Sequence, residues 1–310
     1  MKIRVFKWTM LLLCILCTVG LFPFGRGAFA EEEPGQEDVL RLEEIVVVAP
    51  AIIEGNKVNR YGSQVTGVTK EQVSDLNAQD LPSALRRTPG VVISRHNPIG
   101  SFGGAEGGAI YIRGQGSSRP GAEIQMLVDG IPKVVGVWTH PLMDVLSVDV
   151  VDRVEVYKGA QPVLFGNMTS GAVNLSTKRR LEEGFATSIQ GGYGSHDTWV
   201  EVLEHGGKID RFDYYLIQSY RSSDGHRDNA DGELQNYFGR AGYEISESWD
   251  FSLVLNHTDN WANDPGRADR SVPPDGRYST NDYLTIATLS NGYDWGEGHL
   301  KVYWDKGDLD

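Results

Sequence analysis

Only two cysteines occur in the 310 residues, Cys14 and Cys17, and both lie in an N-terminal segment that reads as a cleaved signal. The mature chain therefore offers no disulfide framework, no thiol nucleophile and no thiolate for a metal. Beyond residue 30 there is no run of 18 apolar residues, which excludes a further membrane-crossing helix and says nothing of crossing by strands. Cations are in deficit: 29 Lys and Arg stand against 42 Asp and Glu, a net charge of −13. The signal holds Lys2, Arg4, Lys7 and Arg26 and no acid, so its removal leaves −17. Such a chain repels phosphate backbones, and no nucleic-acid partner is expected. No G-x-S-x-G element is present, and the Gly-rich stretch 95–108 lacks the strand-before, helix-after setting of a phosphate loop. Neither an enzyme nor a bound cofactor is expected.

What the sequence does contain is turn residues and interfacial aromatics: 37 Gly, 13 Tyr and 7 Trp. Residues 1–30 have a basic start, an apolar centre (LLLCILC) and a small-residue site at Ala28-Phe29-Ala30, the three parts of a secretory signal. After a polar lead comes the β-branched run Glu44-Ile45-Val46-Val47-Val48-Ala49-Pro50. Read alone, it is a short extended segment closed by proline, able to add to the edge of a partner's sheet. Val65–Val68 reads as a strand, and Lys70–Asn77 and Gln79–Arg87 as short helices, the first after Thr69 and the second capped by Asn77 or Asp80. Leu81, Ala84 and Leu85 share a face at i, i+3, i+4. Val91–Ser94 and Ile110–Arg113 read as further strands. The apolar runs Ile124–Val128, Val154–Tyr157 and Ala172–Leu175 are bounded by Asp129-Gly130, Lys158-Gly159 and Ser170-Gly171, which makes them strands between tight turns.

From Phe185 onward apolar and polar residues alternate. Phe185, Ile189 and Tyr193 oppose Ser188 and Gln190; Phe212, Tyr214 and Leu216 oppose Asp213 and Tyr215. Tyr237, Ala241, Tyr243 and Ile245 oppose Asn236 and Arg240, and Phe251, Leu253 and Leu255 oppose Ser252 and Asn256. Leu300, Val302 and Trp304 oppose His299, Lys301 and Asp305. Strands with one apolar and one polar face, with aromatics toward their ends, fit a transmembrane β-barrel or a soluble β-sandwich. Short connections are expected at Gly206–Asp210, Ser246–Ser248 and Asp294–Gly298. The opposite ends are expected to join through Gly194–Asp197, Ser222–Gly232 and Asp259–Asp282.

The order EIQMLVDGIPK, VDRVEVYKG and FGNMTSGAVNLSTK, preceded by LPSALRRTPGVVIS (Leu81–Ser94) and IYIRGQGSS (Ile110–Ser118), resembles the plug domain of TonB-dependent outer-membrane receptors. The resemblance implies a mainly β fold, with an N-terminal α+β plug at 65–180 followed at 181–310 by the first strands of a transmembrane antiparallel β-barrel. Residues 31–64 are then a periplasmic segment whose Glu44–Pro50 run is a TonB box. Family barrels with a plug have about 22 strands; about seven are readable here, so the chain reads as the N-terminal part of a longer protein. No room for an extra periplasmic signalling domain is expected ahead of the box.

The implied partners are a TonB-type energy-transducing protein of the inner membrane, outer-membrane lipid and a small-molecule chelate. An iron–siderophore leads by family frequency, with cobalamin, haem, another metal or a glycan open. The rival reading is a passive or surface-binding barrel, a porin or adhesin, and a further one is a phage or bacteriocin docking protein. As the resemblance implies, Arg113, Arg153, Glu155 and Lys158 are expected to bond plug to barrel. Three loops are expected to face the substrate, with Arg95, His96 and Asn97 in the first, Arg119 in the second, and Trp138 and His140 in the third. His140 has no second ligand spaced for a metal, and no metal site is expected. The chain is expected in the outer membrane of a Gram-negative bacterium after cleavage near Ala30.

Overall fold

The computed structural model describes residues 57–58, 64–93, 99, 110–116, 124–133, 146–160, 164, 171–265, 269 and 276–309. The TonB-box run Glu44–Pro50 lies outside the described residues, as do the signal, Arg95, His96, Asn97, Arg119, Trp138 and His140.

The first half of this region is an α+β unit. β1 (Lys57–Val58), β2 (Gln64–Thr69), β8 (Val151–Tyr157), β9 (Gly171–Thr177), β6 (Ile124–Val128) and β7 (Ile131–Pro132) form one sheet in that spatial order. β6 and β9 are parallel; the other pairs are antiparallel. The sheet thus begins at Lys57, ahead of the boundary expected at 65. A second small sheet holds β3 (Val91–Ile93), β4 (Ile110–Ile112) and β5 (Gln115–Gly116). α1 (Lys70–Asp75) starts on a reciprocal capping box: Gln72 N donates to Thr69 Oγ1 at 3.4 Å and Thr69 N to Gln72 Oε1 at 3.0 Å. α2 (Leu81–Leu85) is capped by Asp80, which accepts from Ser83 N at 2.6 Å. Both helices are shorter than the sequence spacing predicts, while Leu81, Ala84 and Leu85 are fully buried, as their spacing requires.

The second half is one antiparallel meander: β10 (Gly184–Gly194), β11 (Thr198–Ile209), β12 (Phe212–Ser223), β13 (Gly232–Ser246), β14 (Trp249–Asp264), β15 (Gly276–Tyr293) and β16 (Gly296–Leu309). Register places Phe185, Ile189, Tyr193, Trp199, Leu216, Tyr237, Tyr243, Phe251, Leu255, Tyr283 and Leu300 on one exposed face. That face carries two aromatic rows. Tyr193, Trp199, Tyr237 and Tyr283 form one, with His257 stacked between Tyr237 and Tyr283 at centroid distances of 6.3 and 4.2 Å. Phe185, Phe212, Tyr243, Phe251 and Tyr293 lie toward the other end. Tyr283 and Tyr293 are ten positions apart on β15; at about 3.3 Å per residue and a tilt of about 40° they are separated by about 25 Å, the height of an outer-membrane apolar band.

Two expectations change. The two long connections are shorter than expected, because β12–β15 continue past the upper aromatic row: β14 runs to Asp264 and β15 starts at Gly276. These extensions are mostly polar, with Trp261, Ala262 and Tyr278 too few to make an apolar alternation, yet they remain hydrogen-bonded pairs. Likewise Gly206–Ile209 is strand, and the turn there is Asp210–Arg211. The inward face is also not simply wet. Val200, Val202, Ile217, Phe238, Val254, Leu284 and Ile286 point inward and join one buried cluster with Val68, Leu76, Val148 and Val150 of the α+β unit. The unit is seated against the concave face of the meander by apolar burial, with charged contacts around it.

Candidate functional site

The V-D-G motif forms the two-residue turn between β6 and β7. Asp129 and Gly130 have φ of 48° and 77°, the pair of positive values a type I′ hairpin requires. The Asp129 side chain ties this turn to the end of β9: Oδ1 accepts from Thr177 N at 2.9 Å and Oδ2 from Thr177 Oγ1 at 2.7 Å. Gly130 N donates to Asn174 Oδ1 at 3.0 Å. Two cations from the strand wall close on this turn. Lys301 Nζ donates to the Asp129 carbonyl, and Arg240 Nη1 donates to Thr177 Oγ1 at 3.0 Å. The motif is thus both a turn and a landing point for β13 and β16.

The segment leaving the α+β unit is bolted down residue by residue. Lys178 Nζ meets both oxygens of Glu204 at 2.8 and 3.0 Å, and Tyr215 donates to the same carboxylate at 2.7 Å. Arg179 forks between two acids: Nε and Nη2 reach Asp213 at 2.9 and 2.6 Å, while Nη1 and Nη2 reach Asp250 at 2.8 and 2.6 Å. Bidentate pairs of this kind are among the stronger charge-assisted bonds. The fork depends on Gly242. A Cβ there would stand 2.4 Å from Asp213 Oδ2 and 2.5 Å from Arg179 Nη2. Gly242→Ala is therefore expected to push the pair apart and destabilise the seated form by about 1–3 kcal/mol. A lower midpoint in thermal unfolding of the micelle-folded chain checks this; an unchanged midpoint would count against it.

Two more pairs cross the same seam. Arg221 of β12 holds Asp149 of the short 3-10 turn Val148–Val150 with Nη1–Oδ2 2.5 Å and Nη2–Oδ1 2.9 Å, and its Nε donates to Gln79 Oε1 at 3.1 Å. Burial pushes the Asp149 carboxyl up, but the Arg221 charge and hydrogen bonds from Arg221 and Ser147 outweigh it and hold it below its ordinary range. Lys133, buried just after β7, donates to Asp282 of β15 at 2.6 Å and to Asp305 of β16.

The four residues expected to bond plug to barrel sit elsewhere. Arg113 has φ of 53° and forms the β4–β5 turn with Gly114; its guanidinium donates to Gln64. Arg153 Nε lies 3.5 Å from Glu155, which accepts from Tyr157 at 3.2 Å. Lys158 is buried, and its backbone N donates to Gln64 O at 2.8 Å. Burial, with the Arg113 charge second, lowers its pKa. All these partners are within the α+β unit, because β8 is an interior strand of that sheet. The cross-seam set, Asp129, Lys133, Asp149, Thr177, Lys178 and Arg179 against Glu204, Asp213, Arg221, Arg240, Asp250, Asp282, Lys301 and Asp305, was not identified from sequence. Its one legible sign was the V-D-G motif. Among the described residues no His/Cys/Asp/Glu group is arranged to hold a metal ion.

A compact α+β unit held by apolar packing and buried ion pairs against the inward face of a seven-stranded antiparallel wall is the arrangement of a plug with part of a membrane-type β-barrel. Comparison with known proteins agrees: residues 57–173 match the TonB-dependent receptor plug domain. The chain is 28% identical over 258 residues to the vitamin B12 transporter BtuB of Vibrio cholerae, covering 78% of this chain and 38% of that one. It is 23% identical over 236 residues to the ferripyoverdine receptor of Pseudomonas aeruginosa, covering 74% and 27%. Among solved structures, the unliganded ferric citrate transporter FecA matches with a TM-score of 0.63 at 20% identity, covering 79% of this chain and 40% of that one. The FpvAI–pyocin S2 complex matches with a TM-score of 0.62 at 18% identity, covering 78% and 34%. The chain is thus similar to TonB-dependent receptors, with residues 57–173 matching their plug domain, and it spans under half the length of these relatives.

Proposed function

We propose that this chain is the plug and first barrel wall of an energy-coupled outer-membrane receptor that takes up a scarce small-molecule chelate. The observation that carries the reading is the seam: a plug locked inside a wall by many separate polar contacts gives a closed resting state that needs external work to open. The relatives support a chelate cargo, since they include a vitamin B12 transporter and a ferripyoverdine receptor. An iron–siderophore leads, with cobalamin next. Arg95, His96, Asn97, Arg119, Trp138 and His140 are the proposed substrate-facing residues of the plug, and the proposed domain limits are 31–64, 65–180 and 181–310 after a signal at 1–30, with β1 at Lys57–Val58 joining the plug sheet from the segment before it. Arg113, Arg153, Glu155 and Lys158 keep a proposed role in plug–barrel contact.

Work is delivered, in this reading, through Glu44–Pro50, a TonB box that an inner-membrane TonB-type protein grips by strand addition. The test is binding of the purified periplasmic domain of such a protein to the chain folded in detergent. Val46→Pro and Val47→Pro each remove a backbone donor and fix φ, and each is expected to weaken binding at least tenfold while leaving the thermal midpoint unchanged. Equal binding by both variants would remove the box assignment. A docking role for a bacteriocin is a second reading, favoured by the pyocin S2 complex of a structural neighbour.

A further inference from the structure

Between the Asp129–Gly130 turn and the inward face of β13–β16 lies a cavity of about 620 Å³. Its size falls within the range of small-molecule sites, about 300–1,000 Å³. Its charges are unevenly satisfied. Arg179 is matched by Asp213 and Asp250. Both carboxylate oxygens of Asp129 are already engaged by Thr177. Lys301 meets only a neutral acceptor there, the Asp129 carbonyl, although an ammonium has three donors. Arg240 Nη1 is spent on Thr177, its approach to Asp129 Oδ2 is a long 3.9 Å, and its buried Nε has no hydrogen-bond partner among the described residues. A guanidinium has five donors in a planar fork suited to carboxylate and phosphate. The acids Asp250 and Glu297 and the ring of His299 also line the space. Two cations, one on β13 and one on β16, therefore bring more donors into one polar cavity than the protein's own acceptors there use.

We propose that this cavity is a binding site for a small oxyanion, a carboxylate- or phosphate-bearing molecule, held by Arg240 and Lys301 on the inner side of the V-D-G turn. The site does not depend on energy coupling: it binds with or without a TonB-type partner, so failure of the box experiment leaves it standing. Serine hydroxyls at Ser252 and Ser290 line the wall and supply neutral donors. An anionic group resting here engages the same two cations that hold the plug turn, so occupancy and plug seating compete for them.

The test is isothermal titration of the micelle-folded chain with citrate and inorganic phosphate as probes and glucose as the neutral control. Saturable binding of at least one oxyanion and none of glucose is expected. Arg240→Gln with Lys301→Gln is expected to lower the affinity at least tenfold, and Arg240→Lys to keep most of it. Because the double variant also disturbs the plug turn, Ser290→Asp supplies an independent reading. It adds a negative charge to the cavity wall at a residue outside the plug–wall contacts described above, and it too is expected to lower oxyanion affinity at least tenfold while plug and wall stay folded. No saturable oxyanion binding by the wild type, equal binding of glucose, or an unchanged affinity in Ser290→Asp would overturn the proposal.

Discussion

Asp149→Ala is expected to destabilise the seated plug by about 3–5 kcal/mol, the range for stripping one partner from a buried ion pair. The side chains of Arg221 and Asp149 are 3% and 11% exposed, so solvent cannot take over from the lost carboxylate. Arg221 would keep Gln79 and Ser147, both neutral, and its charge would stand against the inward face of β12. Urea unfolding of the micelle-folded chain measures the loss, and a change below about 1 kcal/mol, the scale of an exposed pair, would mean that the pair is solvated in the working protein. The same pair fixes an acid dependence. Its carboxyl is held below the ordinary aspartate value of 3.8. A depressed folded value stabilises the protein above the unfolded value, and that contribution is lost as pH falls through the lower folded one. The wild type is thus expected to lose plug stability as pH drops below about 3.8, whereas Asp149→Asn, already lacking the charge, shows a flatter response in that window.

The parts of this architecture that the sequence made legible are those governed by local rules. Alternation from Phe185 onward marked β10, β12, β13, β14 and β16, because one face must be apolar for lipid and period two is visible in a single strand, while β11 and β15 followed from the connections between them. The start of α1 after Thr69, and the shared face of Leu81, Ala84 and Leu85, were readable for the same reason: a helix start and an i, i+3, i+4 face are complete within a few residues. The seam was not legible, because its pairs join distant positions. Arg221 and Asp149 are separated by 72 residues, and Lys133 and Asp305 by 172. In a chain with 71 charged side chains drawn from 29 basic and 42 acidic residues, nothing local marks those that meet. The inward apolar patch was hidden differently. Val254, Leu284 and Ile286 interrupt the polar face of their strands, which reads as imperfect alternation until a plug is present to cover them. Arg113 and Lys158 sit within strong motifs whose described contacts serve the plug's own sheet, one as a left-handed turn residue and one as a buried residue just after β8.

Lys133→Met is expected to be as damaging as Asp149→Ala, for a reason that a further substitution can separate. Lys133 is 4% exposed and is the cation that faces both Asp282 and Asp305. One lysine thus joins the plug to two adjacent wall strands, and its removal leaves two carboxylates close together on the inward face, one of them wholly buried. Breaking a buried pair from one side costs about 3–5 kcal/mol, whereas replacing all its members with neutral groups is often close to neutral. Adding Asp282→Asn and Asp305→Asn to Lys133→Met should therefore recover most of the loss, because the uncompensated charge, rather than the missing bond, is the larger part of the penalty. The thermodynamic cycle through the single, double and triple variants, measured by urea unfolding in micelles, reads this directly: strong non-additivity is expected for groups that share one bond network. Additive losses, with the triple variant the least stable of all, would show that the three side chains act independently and that the plug is not held at β15 and β16 through Lys133.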